Sequence, residues 1–492
     1  MLLTPALWAA AGDVITAFGQ GGRVFSLATN GTWVGSVVPS DRGRFFLVGT
    51  CGGHDPVTIC VSKHLLNGSL DTSFGPYQAG VSPFYTPQRI AYVTSAQRDI
   101  QGRLLMLGEC TVSLTETAFC LMRVNDNGEV DTSFGNDGTQ TVRISAASTR
   151  EAAARLSILE SGRIVATGLC YFATEVRSCQ VMLESNGTPA ESVWTSGRVI
   201  GPVLGLLNPD KTANGDIGES MAVAYSDGSF LIADGCGAIS SFSICVRKFR
   251  NDGTPETSLG ANGAVNISLA ETSISPWAMA IDASERTYFL GKCTGQSSAI
   301  CLVRMNASGA LDTSFGQVGV ARFTNGALIL PGPLTITRDG KLLFAGSCDI
   351  ATLQDVCVVR LHDDGSTDKS FGTAGVARFN MPGMAAVMFG FISEQFDGAL
   401  VVAGTCYSTT SPSLASMCAV KLDAGLKAAA TCSLDLDGDD TQSAMSDGLI
   451  VLRALLGLKG QAVTAGVASS AGLRTDWASI RAFLKRQCGA NL

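Results

Sequence analysis

Short runs in which apolar and polar residues alternate fill the chain from about residue 12 to 425, and Gly, Asp and Asn punctuate them. WAMAID (277–282), TYFLGKC (287–293), ICLVRM (300–305) and VARF (320–323) are typical, with turn signals such as SDG and RDG between such runs. A period of two over so few residues predicts strands joined by tight turns. Helical spacing belongs to the C-terminal stretch. DGLIVLRALLGL (447–458) places Leu449, Leu452, Leu455 and Leu456 on one face, and RTDWASIRAFLKRQC (474–488) does the same with Trp477, Ile480 and Leu484.

The strand pattern repeats. LDTSFG stands at 70–75 and 311–316, and VDTSFG at 130–135. Three residues before each Asp lies a Gly, and this anchor recurs at Gly12, Gly68, Gly128, Gly187, Gly253, Gly309, Gly365 and, more weakly, Gly425. Eight anchors bound seven units of 56 to 66 residues, and the longest carries an inserted loop, NPDKTANGDIGES (208–220). Six residues after the first seven anchors stand Phe18, Phe74, Phe134, Val193, Leu259, Phe315 and Phe371, all large enough to plug a gap between neighbours. Four short strands per unit, seven times over, predict a mainly β, seven-bladed propeller of four-stranded blades over 12–425.

The recurrence of DTSFG with a Gly shortly after it resembles the delta-60 repeat family, an NHL-like group of bacterial propellers, over most of this span. The first unit departs at Ile15, and the third reads GTPAESVW. The resemblance implies an architecture rather than one activity.

A second regularity runs alongside. Lys63, Arg123, Lys248, Arg304 and Arg360 each precede an acid by eight residues (Asp71, Asp131, Glu256, Asp312 and Asp368), whereas the third unit has Met182 and Ala190 and the last has Lys421 and Ala429. Joint loss in the third unit favours an ion pair between a strand and the following turn. A ring of cations lining a ligand channel is the other reading.

The 16 cysteines follow the same repeat. The pairs are Cys51/Cys60, Cys110/Cys120, Cys170/Cys179, Cys236/Cys245, Cys293/Cys301, Cys348/Cys357 and Cys406/Cys418, each ending one strand and beginning the next, with Cys432 and Cys488 left to pair with each other. Such positions are expected to face each other in a hairpin, so that a disulfide braces the outer hairpin of every blade. With no CxxC and three histidines (His54, His64 and His362), the cysteines do not suit zinc. Disulfides require an oxidising compartment, and residues 1–11, MLLTPALWAAA, read as the end of a signal peptide. A secreted, extracellular or cell-surface protein is expected, with the periplasm as an alternative. The net charge of −7, with Lys and Arg scattered, gives no footing for nucleic acid, and no apolar run is long enough to span a bilayer.

Past a short linker at 426–431, residues 432–492 change character. Asp435, Asp437 and Asp439 alternate and are followed by Thr441, Ser443 and Asp447 at the start of the helical pattern. Hard cations take oxygen ligands at alternate loop positions. The run resembles the calcium loop of a dockerin-like, EF-hand-type module. That resemblance implies one calcium ion held by Asp435, Asp437, Asp439, the Thr441 carbonyl and Asp447, with Ser443 acting through water. Asp440 replaces the usual loop Gly, and the closing acid comes at position 13. A Cys432–Cys488 bridge would clamp the ends of this small α-helical domain.

No HExxH, GxSxG or P-loop occurs. His54 lies within a cysteine loop and His362 before a turn, both in surface positions; Asp210, Asp216 and Glu219 of the inserted loop read as a solvated acidic loop rather than a cation site. The loops within the cysteine pairs are polar and dissimilar, and variable loops on a rigid scaffold are where binding resides. The expected function is therefore a binding or structural protein engaging a protein or glycan, or itself, through those loops. An extracellular hydrolase or lyase with its site in the propeller funnel is the alternative.

Overall fold

The computed structural model describes residues 10–30, 33–40, 43–51, 58–76, 79–85, 90–113, 116–207, 219–225, 227–236, 243–269, 273–294, 299–323, 330–348, 355–395, 397–410, 414–425, 435–437, 443–469 and 474–484. Strands form where the period-two runs predict them. Among the described residues, 28 strands build seven antiparallel sheets of four. Blades one to seven start from the inner strands Trp33–Pro39, Ile90–Arg98, Arg150–Ile158, Ser220–Ala224, Ser273–Ile281, Leu330–Ile336 and Met384–Glu394. Each inner strand packs beside the next, and the seventh packs beside the first, so the blades close a ring.

Repeat and blade are out of phase by one strand. VARF (320–323), which follows the phrase, is the outermost strand of blade five, and blade six begins after it. The same offset closes the ring. Arg23–Asn30, the first strand of the chain, pairs with Leu414–Asp423 as the outer strand of blade seven.

Each blade carries one disulfide, and the partners are those the spacing pairs. They are Cys51–Cys60, Cys110–Cys120, Cys170–Cys179, Cys236–Cys245, Cys293–Cys301, Cys348–Cys357 and Cys406–Cys418, with Cα atoms 5.6–6.0 Å apart. Two expectations about them are corrected. The bridges tie the two central strands of each blade rather than the outer hairpin, because the outer strand arrives only after the phrase. Nor do the paired cysteines face each other directly. Cys60, Cys120, Cys179, Cys301, Cys357 and Cys418 stand opposite Gly49, Gly108, Gly168, Gly291, Gly346 and Gly404, and Cys245 stands opposite Asp234. The first cysteine of each pair comes two residues later, so every bridge crosses the ladder diagonally. Strand twist and pleat bring such diagonal neighbours within bridging distance. Cys432 and Cys488 lie outside the described residues.

The blades adhere through apolar clusters, each shared by two neighbours. The phrase sits at these seams. Phe315 is fully buried among residues of blades five and six. Over its ring, 4.8 Å from the centroid, lies the guanidinium of Arg304. That guanidinium donates to Asp312 Oδ2 at 2.8 Å, to Ser314 Oγ at 2.8 Å and to the Asp363 carbonyl of blade six. Asp312 Oδ1 in turn accepts from the Ser314 amide at 3.1 Å and its hydroxyl at 2.7 Å, which fixes the turn. The Gly316 amide donates to the Asp364 carbonyl across the seam. The anchor Gly365, at φ +86°, lies against the plug so closely that a Cβ there would come within 2.8 Å of the Phe315 ring. Arg123 and Arg360 repeat the arrangement over Phe134 and Phe371, with Asp131 at 2.7 Å and Asp368 at 2.9 Å.

The lysine units differ from the expected pairing. Lys63 reaches past Asp71 to Asp126 of blade two at 2.9 Å, and Asp71 instead lies 3.6 Å from Arg44. Lys248 stands over the Tyr225 ring at 4.2 Å, while Glu256 pairs with Arg250 at 2.9 Å. Lys421 takes Asp397 at 2.6 Å. An ammonium is a point donor on a flexible stem, whereas the guanidinium fork can hold an acid, a hydroxyl and a carbonyl in one plane.

The Ser314 hydroxyl bond, opposed by desolvation and aided by Arg304, holds the Asp312 carboxyl below the ordinary value of 3.8. A depressed carboxylate stabilises the fold above that value, and the contribution is lost as pH falls below it. Asp312→Ala strips a buried Arg304 of its counter-charge and is expected to cost about 3 kcal/mol at neutral pH. Guanidinium melts should show this deficit and its shrinkage below pH 3.8; a variant as stable as the parent would contradict the assignment.

Candidate functional site

The histidines divide three ways. His54 lies outside the described residues. His362 stands at the surface of blade six, its side chain 40% exposed, with Nδ1 2.7 Å from Lys341 Nζ and Nε2 3.8 Å from Asp368. His64 is 1% exposed and stacks on Phe45 with centroids 5.0 Å apart. A carbonyl can only accept, so Nδ1–H donates to the Gly68 carbonyl at 3.0 Å and Nε2 accepts from the Ser62 hydroxyl at 2.9 Å. Burial, partly opposed by the Gly68 bond, lowers the imidazole from 6.5 to about 4. His64 is therefore a neutral core residue. Its folded pKa lies below the unfolded one, so its contribution is complete above pH 6.5 and is lost as pH falls toward 4. His64→Phe is expected to flatten the fall in stability across that window, by an amount on the order of 3 kcal/mol for a shift of this size. Parallel pH–stability curves for the two proteins would exclude this role.

Of the inserted loop, Asp210 and Asp216 lie outside the described residues. Glu219 pairs with Arg155 of blade three at 3.0 Å. On the face opposite the disulfides, a cleft of about 650 Å³ is lined by turns of blades four to seven. Within it Arg286 pairs with Asp282 at 2.6 Å and Arg338 with Glu394 at 2.8 Å.

The C-terminal stretch forms three short helices, Asp447–Leu455, Gln461–Thr464 and Trp477–Phe483. They enclose a small core of Leu436, Ile450, Val463, Trp477, Ile480 and Leu484. The second helical pattern thus buries the face expected of it. The first does not: Ile450 turns inward, while Leu452, Leu455 and Leu456 are 51%, 65% and 71% exposed. Leucines surround this helix on several sides, and spacing alone did not choose among the faces.

Asp435, Asp437 and Asp447 come together at the edge of this core, each offering an oxygen within 4.8 Å of the others, and Asp437 and Asp447 are buried. Backbone amides hold them. Asp447 accepts from Leu436 N at 2.6 Å and Ser443 N at 2.9 Å, and Asp437 accepts from Ser469 N at 2.7 Å. The Ser443 hydroxyl accepts from Met445 N and Ser446 N at the start of the helix. Asp439 and Thr441 lie outside the described residues. Sequence reasoning missed Arg474, whose guanidinium donates to the carbonyls of Leu436 at 2.7 Å and Asp435 at 2.9 Å and so fixes the loop from behind. Converging carboxylates with alternating loop spacing are the donor set that a hard cation takes.

A family profile described as "Domain of unknown function (DUF5122) beta-propeller" matches residues 337–371, which span the turn into the second strand of blade six through to the plug Phe371. No curated protein matches the sequence significantly. Among solved structures, a protein of unknown function from Dyadobacter fermentans aligns with a TM-score of 0.43 at 8% identity, over 82% of this chain and 98% of that one. The polysaccharide lyase Uly1 aligns at 0.43 and 10% identity over 80% and 90%. The periplasmic gluconolactonase PpgL of Pseudomonas aeruginosa aligns at 0.41 and 12% identity over 74% and 90%. Values this low carry no argument about chemistry, and the β-propeller rests on the chain's own strands and seams.

Proposed function

We propose that this disulfide-braced propeller works in an oxidising compartment, secreted or at the cell surface, as a binding or structural protein with a calcium-organised, dockerin-like module at its C-terminal end. The observation that carries the reading is the meeting of Asp435, Asp437 and Asp447 within 4.8 Å. Asp439 and the Thr441 carbonyl would complete the set, with Ser443 through water. Seven disulfides within blades support the compartment. Among the described residues, no helix is long and apolar enough to cross a membrane. The dissimilar loops between paired cysteines support a protein or glycan partner on that face. The outward Leu452, Leu455 and Leu456 support docking or self-association through the module.

Calorimetric titration of the full chain with calcium is expected to show one ion per chain, a higher melting temperature with calcium than with chelator, and loss of both in Asp447→Asn. Size measurement with and without calcium then reports whether the ion drives self-association. Absence of binding heat at millimolar calcium, with identical melts in chelator, would remove the calcium module from the account.

A further inference from the structure

One seam of the ring is built unlike the other six. In six of the seven pairs a glycine stands two residues before the first cysteine: Gly49, Gly108, Gly168, Gly291, Gly346 and Gly404. The reason is steric. The inner strand bulges opposite these glycines in all six blades. A Cβ would come within 1.9 Å of the Trp33 carbonyl oxygen at Gly49, and within 2.2 Å of those of Tyr92 and Ser275 at Gly108 and Gly291. Blade four has Asp234 there, on an inner pair that runs without a bulge, and the carboxylate is fully buried.

Its surroundings depart in the same way. Two residues beyond the second cysteine stand Ser62, Met122, Val181, Val303, Val359 and Val420, but Arg247 in blade four. The residues flanking that cysteine are apolar in the other blades, as in Ile59/Val61 and Phe119/Leu121, but are Ser178 and Gln180 in blade three. Opposite the glycine the inner strand carries Val34, Val93, Ala153, Pro276, Pro331 or Phe389, but Ser220 in blade four.

These singular residues meet across the seam between blades three and four. Arg247 Nη2 donates to Asp234 Oδ2 at 2.7 Å and to Gln180 Oε1 at 3.3 Å. Gln180 Nε2 donates to Ser220 Oγ at 3.2 Å, and that hydroxyl donates to Asp234 Oδ1 at 2.7 Å. The four side chains form a closed ring of hydrogen bonds that spans the two blades. Among the described residues, the apolar cluster at this seam has eight buried members, against 12 to 17 at the others. This is also the seam whose unit has neither the cation nor the acid of that pattern, with Met182 and Ala190 buried in their place.

We propose that this network is an ordering key: it specifies that blade three adjoins blade four. At these positions the other six seams carry glycine and, Ser62 apart, apolar side chains, so a blade set out of order would meet little there to oppose it. Set against any other blade, Gln180 would face apolar side chains, and Asp234 and Arg247 would lose one arm of their ring; the Ser178 hydroxyl, which has no partner among the described residues even here, adds nothing to the discrimination. Each buried polar group left unpaired penalises the wrong neighbour. Replacing a buried polar network by apolar residues is commonly neutral or stabilising, and Arg247 Nε is buried here with no partner among the described residues, so the gain lies in specificity rather than in strength.

The test converts the seam to the pattern of the other blades in the full, oxidised chain, with Ser178→Ile, Gln180→Val, Ser220→Val, Asp234→Gly and Arg247→Val together. The expected melting temperature equals or exceeds that of the parent. After unfolding in guanidinium and dilution, discrimination against wrong neighbours should fall roughly tenfold, the value of one unpaired buried group. Size-exclusion chromatography reads this as a larger share of exchanged dimers and higher species. Asp234→Gly alone should lower the melting temperature, and adding Arg247→Val should restore part of the loss. The proposal is overturned if the fivefold variant refolds to the parent's distribution, or if it melts below Asp234→Gly or fails to fold, since the network would then be an ordinary stabilising element.

Discussion

Everything in this ring depends on how one blade holds the next. A four-stranded antiparallel sheet with two apolar faces cannot remain in water alone, and each blade here buries both faces against neighbours. The contact that fixes the spacing is the guanidinium of Arg304, stacked on Phe315, bonded to Asp312 and Ser314 of its own turn and to the Asp363 carbonyl of the following blade. It unites dispersion, charge and backbone satisfaction in one buried group. Its recurrence at Arg123 and Arg360 accounts for the phrase in three of the seven units. The phrase is a joint.

Disulfides and seams divide the work. Each disulfide ties two central strands of a single blade, so it stabilises blades without ordering them. Order around the ring comes from the joints, from the first strand completing blade seven, and from the polar network between blades three and four. A ring of near-identical units needs some asymmetric element to distinguish its junctions, and blades three and four supply it.

Much of the fold was legible because its constraints are local and repeated. Spacing of the anchors counted the blades, and the cysteines marked one hairpin in each. Which hairpin they marked was not legible, nor was the phase of the repeat. The run after the phrase looks the same whether it opens one blade or finishes the previous one, and only the pairing of VARF with blade five decides. Lys63 and Lys248 resembled the arginines in sequence, yet one point charge could be drawn to Asp126 and the other to the Tyr225 ring. In the C-terminal module Asp435 and Asp437, two of the alternating acids, and Asp447, the acid at the helix start, offer oxygens within 4.8 Å of one another. Arg474 went unseen because its role is to bond carbonyls, which leave no trace in a sequence. Asp234 was visible all along as the one residue breaking a column of glycines, but its meaning needed the bulge that the other six inner strands share.

If the joints hold the ring together they are as stable as the blades they connect, and native-state hydrogen exchange measures this directly. The amides of Gly135 and Gly316, which donate to Asn186 and Asp364 of the adjoining blades, should exchange only through global opening, with the same free energy as the central strands. Exchange of these amides through a low-energy local opening, while the strands on either side stay protected, would contradict the claim that the repeated phrase holds the ring together.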